Sequence, residues 1–204
     1  MKQKAFTIAN LITTSRILLT PLFIYFLFGK HSFFEIFALI IFIIASVTDA
    51  YDGYYARKYQ SVSSLGKFLD PLADKILMSA AFISFAILDL IPLWMVILVI
   101  LRDFIVTGLR ILMQIKETSM TTSQIAKIKT GSQVGVVCFI LVYHITQRWK
   151  IFLGIAPYVA LIEKYHVIDI LMLIVTVFTV YTGAQYIFTN LKYLKKSSTS
   201  VDEK

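Results

Sequence analysis

The sequence predicts an all-α integral membrane protein with six transmembrane helices, an N-terminal juxtamembrane segment and both termini cytoplasmic. Three observations predict it. Apolar types make up 58% of the 204 residues and charged types only 16%, where a water-soluble domain carries roughly a quarter charged residues. Mean hydropathy is +0.77, and the apolar residues fall in blocks near the ~20 residues a helix needs to cross ~30 Å of hydrocarbon. Finally, basic residues are shared unequally between alternate loops. This composition excludes a disordered chain, and a single cysteine, Cys138, excludes a disulfide scaffold. The net charge of +8 suits loops facing anionic lipid head groups, so membrane lipids and no nucleic acid are the expected surroundings.

The candidate spans are 8–29, 33–57, 69–89, 92–113, 130–147 and 167–191, forming one membrane domain over residues 1–204. Arg16 and Pro21 interrupt the first. No Ala-x-Ala-like cleavage site follows Phe28, which favours a span over a signal peptide. The second and third spans, joined by a short loop, are expected to be antiparallel neighbours, and Gly66 permits a tight turn before the third. The fifth span is short and ends near Arg148. Residues 151–162 contain Gly154 and Pro157 and are too short to cross, which predicts an interfacial or re-entrant piece. The polar residues from Ser197 read as a loose tail.

Eleven lysines fall on one side: Lys2, Lys4, Lys58, Lys67, Lys116, Lys127, Lys129, Lys192, Lys195, Lys196 and Lys204. The other side has four basic residues, Lys30, Arg148, Lys150 and Lys164. The richer side is expected to be cytoplasmic, in a multi-pass protein of the cell membrane.

Charges within the spans carry the chemistry, because each costs about 2.5–3.5 kcal/mol at bilayer depth and needs a partner or a purpose. The cations are Arg16, Arg57, Lys75, Arg102 and Arg110; the acids include Asp49, Asp52, Asp70, Asp74 and Asp103. Glu35, Asp89 and Asp169 lie near outer ends and are expected to be solvated. Asp49 and Asp52 are three apart and Asp70 and Asp74 four apart, so each pair shares a helix face. Both pairs sit at cytoplasmic ends, so four carboxylates can converge on one pocket, where they cannot all stay ionised unaided. Oxygen-only ligands favour Mg²⁺ or Mn²⁺ over zinc. The plainer alternative makes Asp70-Pro71 a helix start, with Asp49 or Asp52 neutralising Arg57 or Lys75.

Written out, the stretch is Asp49-x2-Asp52-Gly53-x2-Ala56-Arg57-x8-Gly66-x3-Asp70-x3-Asp74. It resembles the signature of the CDP-alcohol phosphotransferase family at all eight fixed positions, and six spans with cytoplasmic ends is the family pattern. The resemblance implies that Asp49, Asp52, Asp70 and Asp74 hold two divalent ions against the diphosphate of a CDP-linked lipid, with Asp74 as general base. It implies nucleotide contacts from Gly53, Arg57 and Ser63, with Ala56 and Gly66 as small motif positions. It also implies a homodimer.

Asn10-x2-Thr13-x2-Arg16 resembles the leading segment that touches the cytidine in this family, although an ordinary amphipathic helix start reads the same way. Ala126-Lys127-Ile128-Lys129-Thr130 resembles the Lys-x-Lys-Thr stretch of the phosphatidylglycerophosphate synthase branch. On the fourth span Asp103, Thr107 and Arg110 share one face. Arg110, Lys127 and Lys129 are therefore the candidates for binding an anionic acceptor, unless Arg110 merely pairs with Asp103. The implied reaction moves a phosphatidyl group from CDP-diacylglycerol to sn-glycerol 3-phosphate. Inositol phosphate, serine or phosphatidylglycerol as acceptor is the nearest alternative. A cation transporter is remote: its acids would sit near mid-membrane, often in inverted repeats. An aspartyl protease would need a Gly-x-Gly-Asp pattern that is absent here.

Overall fold

Seven helices follow one another along the chain: α1 (Ile8–Leu27), α2 (Phe34–Tyr59), α3 (Ser64–Ile87), α4 (Leu93–Ile115), α5 (Gln124–Trp149), α6 (Ala156–Lys164) and α7 (Val167–Thr199). A computed structural model of the chain describes residues 8–31, 33–59, 64–115, 124–152 and 154–199, with side chains described over 15–31, 33–48, 75–111, 113, 129–152 and 154–190. No strand occurs among the described residues.

Each expected span falls on a helix, overrunning it by two residues at most, and several helices run well past the span. The third begins at Ser64 instead of 69, the fifth at Gln124 instead of 130, and the last continues to Thr199 instead of 191. Hydropathy marks only the apolar part of a helix, whereas backbone hydrogen bonding continues into polar sequence at either end. Two readings change accordingly. Asp70 and Pro71 lie inside α3 and do not start it, and Gly66 belongs to its first turn, not to a preceding loop. Residues 197–199, expected in a loose tail, are helical.

Among the described residues the helix from Val167 to Asn190, at mean hydropathy 2.1 over 24 residues, is long and apolar enough to cross a membrane by itself. Shorter apolar runs cover Ser15–Leu27, Phe34–Thr48 and Lys75–Ile87. The distribution of side chains is the reverse of a water-soluble fold. Leu18, Ile44, Ile87, Leu101, Val177 and Phe188 are all more than half exposed, while Arg16, Glu35, Asp103, Lys129 and Gln133 are buried. Such a surface belongs in lipid, with the charges turned inward toward partners. Two buried threonines satisfy their hydroxyls within the helix: Thr176 donates to the Met172 carbonyl at 2.8 Å, and Thr20 to that of Arg16 at 2.9 Å.

α1 packs against both α2 and α3, α4 against α3 and α7, and α5 against α2 and α7. α1 thus lies against both α2 and α3, while the side chains at the ends of α2 and α3 that the short loop joins lie outside the described ones. The apolar core runs through this packing, with Phe23, Phe42, Phe82, Phe85, Ile140 and Met172 fully buried. α3 stops in a Schellman arrangement: Leu90 N–H donates to the Phe85 carbonyl at 2.9 Å and Asp89 N–H to that of Ala86 at 3.2 Å. Asp89 takes the left-handed position at φ 55°, which a short polar side chain tolerates. The segment expected to be interfacial or re-entrant folds as α6, after a left-handed turn at Gly154 (φ 65°). Exposed aromatics gather at this end, with Phe33, Phe152, Tyr158 and Tyr165 all more than half exposed, as in the aromatic belts of membrane interfaces.

Glu35 corrects an expectation. It is 1% exposed, where solvation was expected, and its Oε1 accepts from Arg148 at 2.9 Å while His144 Nε2 lies 3.4 Å away. α2 packs against α5, whose His144 and Arg148 share one face and cover the carboxylate. Asp89 is exposed, as expected, and Asp169 keeps 44% of its side chain exposed beside His166. The pair is asymmetric, because Arg148 keeps 39% of its side chain in solvent. Arg148→Ala strands a buried carboxylate and is expected to cost about 3–5 kcal/mol. Glu35→Ala leaves an arginine that water can reach, and should cost less. Thermal unfolding in detergent checks the order; a Glu35→Ala protein melting below Arg148→Ala would contradict it.

Candidate active site

The motif residues are distributed over three helices. Asn10, Thr13 and Arg16 lie on α1; Asp49, Asp52, Gly53, Ala56 and Arg57 on the last turns of α2; Gly66, Asp70 and Asp74 on the first turns of α3. Ser63 lies outside the described residues. The side chains of all of these except Arg16 also lie outside the described ones, so the convergence of the four carboxylates is not among the described contacts. Arg16 is 2% exposed, on the helix that packs against both α2 and α3. A cation buried on the element between the two acidic helix ends matches the chemistry of a site for phosphate oxygens.

The donor set of the quartet is carboxylate only. The three histidines and Cys138 lie elsewhere: His31 in the α1–α2 turn, Cys138 and His144 on α5, His166 before α7. Four hard oxygen donors without nitrogen or sulfur fit Mg²⁺ or Mn²⁺. Among the described residues no further group of three His, Cys, Asp or Glu side chains comes together.

The described part of the site is a buried cluster around one carboxylate. Asp103, on α4, is 4% exposed. Its Oδ1 accepts from Arg102 Nη1 at 2.8 Å and makes a short contact with Lys129 Nζ. Its Oδ2 faces Lys75 Nζ at 3.7 Å and Gln133 Nε2 at 3.4 Å. Arg102 in turn donates from Nη2 to Thr182 Oγ1 on α7 at 3.0 Å. One acid therefore connects α3, α4, α5 and α7. Lys75 directly follows Asp74 in the chain, so the cluster adjoins the acidic motif.

Three cations share this single carboxylate, which among the described residues leaves two positive charges over. Low local dielectric strengthens their field, and an anion is the ligand they accommodate. Arg110 lies two turns along α4 from Asp103 and is partly buried. The expected alternative, an Arg110–Asp103 pair, is not what forms: Asp103 is taken by Lys75, Arg102 and Lys129. Among the described residues Arg110 makes no ion pair. Lys129, expected in a loop, is on α5 and 3% exposed. The side chain of Lys127 lies outside the described ones.

Sequence reasoning missed Arg102, Lys75 and Gln133 as parts of this cluster. Gln133 carried a usable signal, lying one turn beyond Lys129 on the same face. Lys75 and Asp103 are 28 positions apart and meet only through packing, so no spacing rule could pair them. A cavity of about 480 Å³ between the α3–α4 turn and the start of α7, lined by Ile83, Leu90, Pro92, Asp89 and Asp169, is at the far end of α3 from the motif and is not this site.

Comparison with known proteins agrees with the residues. The model of the CDP-alcohol phosphatidyltransferase family matches residues 6–181. The chain is 36% identical over 205 residues to the CDP-diacylglycerol–glycerol-3-phosphate 3-phosphatidyltransferase of Bacillus subtilis (strain 168), covering 95% of this chain and all of that protein. It is 32% identical to the Rickettsia felis protein of the same name, over 76% of this chain and 90% of the relative. To a probable phosphatidylglycerophosphate synthase of Mycobacterium tuberculosis (strain H37Rv) it is 36% identical, over 66% of each chain. With the complete acidic motif on α2 and α3, these matches establish that the chain belongs to the CDP-alcohol phosphatidyltransferase family.

Proposed function

We propose that this protein transfers a phosphatidyl group from CDP-diacylglycerol to sn-glycerol 3-phosphate, releasing CMP and forming phosphatidylglycerophosphate. The observation that supports the acceptor assignment is the surplus of positive charge around Asp103 among the described residues, one of whose cations, Lys75, is next in sequence to the acidic motif, with Arg110 two turns along α4. A dianionic phosphate matches that surplus and serine, with no net charge, does not; the names of the relatives favour sn-glycerol 3-phosphate over inositol phosphate.

Asp49, Asp52, Asp70 and Asp74 hold two dications, Mg²⁺ or Mn²⁺. When bound, these supply charge neutralisation for the diphosphate of the donor lipid. Arg57 and Arg16 offer guanidinium forks to phosphate oxygens, and Gly53, Ala56 and Gly66 let backbone and nucleotide approach closely. Asn10, Thr13 and Ser63 contact the cytidine nucleotide. Asp74 takes the proton from the glycerol 1-hydroxyl, whose oxygen attacks the lipid-linked phosphorus as CMP departs. Arg110, Lys129 and Lys127 hold the acceptor phosphate.

The chain crosses the cell membrane six times, with α6 in the interface and both termini cytoplasmic. Soluble nucleotide and glycerol phosphate then reach the site from the cytosol, while the acyl chains stay in the inner leaflet. The protein works as a homodimer.

Labelled CDP-diacylglycerol offered sn-glycerol 3-phosphate, inositol phosphate and serine together tests the acceptor. Phosphatidylglycerophosphate is the expected product; a different labelled lipid would reassign it. Arg110→Ala should raise the KM for sn-glycerol 3-phosphate about 10- to 100-fold, the worth of a charged hydrogen bond, with little change for CDP-diacylglycerol. Equal changes in both would return Arg110 to a structural role.

A further inference from the structure

Asp103 touches two elements that the reaction must keep in register. Lys75 follows Asp74, the proton acceptor, on α3; Lys129 is an acceptor-binding cation on α5. Both ammonium groups face the same carboxylate. That carboxylate is itself fixed from behind. Arg102 grips Oδ1 with Nη1 and reaches Thr182 with Nη2, and its stem lies over Gly183. A Cβ at position 183 would come within 2.6 Å of Arg102 Cγ and 2.7 Å of its Nε, so glycine is what lets the guanidinium occupy this seat. The contacts are with the middle of the side chain, which cannot swing clear without losing the grip of its far end.

We propose that Asp103 is a positioning residue for the acceptor half of the reaction, held by Arg102 in a seat made by Thr182 and Gly183 of α7. The idea rests on the acceptor reading above. The sign of its effect separates positioning from simple charge balance. Removing the negative charge leaves three cations where, among the described groups, two were in excess, which by electrostatics alone would draw a phosphate more tightly. If instead Asp103 sets where Lys129 and Lys75 stand, its loss lets mutually repelling cations separate and weakens acceptor binding. A purely structural role would alter the handling of both substrates together and lower the melting temperature.

Steady-state kinetics of the full-length protein in mixed micelles test this with Asp103→Asn, Asp103→Glu, Gly183→Ala, Arg102→Ala and the Gly183→Ala/Arg102→Ala double variant, each also melted. Asp103→Asn is expected to raise the KM for sn-glycerol 3-phosphate about tenfold or more, with the KM for CDP-diacylglycerol within about twofold. Asp103→Glu should recover part of the loss. Gly183→Ala should raise the same KM from a helix to which the proposal gives no substrate contact, and should add nothing once Arg102→Ala has removed the side chain it displaces. An acceptor KM that is unchanged or lower in Asp103→Asn, an equal rise in both KM values, or a Gly183→Ala effect that persists in the double variant would overturn the proposal. If Asp103→Asn does not fold, the Gly183/Arg102 cycle decides alone. Wild-type protein that releases no CMP with sn-glycerol 3-phosphate would overturn the acceptor reading and this proposal together, and the wild-type arm shows that separately.

Discussion

Asp74→Asn is expected to keep CDP-diacylglycerol bound while turnover falls about 10²–10⁴-fold, the usual worth of a positioned general base. Asparagine preserves size and one metal-facing oxygen but cannot accept the proton of the glycerol hydroxyl. Retention of labelled CDP-lipid on the immobilised variant, measured beside CMP release, separates the two roles. Loss of binding together with turnover would make Asp74 chiefly a metal ligand. Turnover near that of the wild type would move the base elsewhere.

Exhaustive chelation is expected to abolish activity, and Mg²⁺ or Mn²⁺ to restore it. The physical reason lies in the crowding of four carboxylates on two helix ends. Converging without dications, as the proposal has them, they would raise one another's pKa and repel, so the metal would contribute to folding as well as to chemistry. Either ion should therefore raise the melting temperature by mass action, a readout independent of substrate. Activity that survives chelation, with an unmoved melting temperature, would contradict the metal pair.

Much of the fold was legible because the hydrocarbon core imposes a length and a polarity on each helix. The apolar centres of α1 to α5 and α7 fall where hydropathy places them. Their ends do not, since Ser64, Gln124 and Thr199 continue helices into sequence that carries no apolar signal. Spacing placed Asp49 with Asp52 and Asp70 with Asp74 on shared helix faces, and both pairs do lie on helices, while their convergence lies outside the described contacts. What spacing could not supply was which charge meets which. Asp103 read as a potential partner for Arg110 on its own helix, yet Lys75, Arg102 and Lys129 take it. Glu35 read as solvated from its position near a helix end, yet the fold of α5 over α2 buries it against Arg148. Long-range pairing depends on packing that a one-dimensional pattern does not encode.

Binding of Mn²⁺ followed by equilibrium dialysis and electron paramagnetic resonance, in the presence of a CDP-lipid, tests the central claim most directly. Two ions per chain with a spin-coupled spectrum are predicted, collapsing when Asp49 and Asp70 are both changed to Asn. A chain that holds no Mn²⁺, or that holds the same amount after both substitutions, would contradict it.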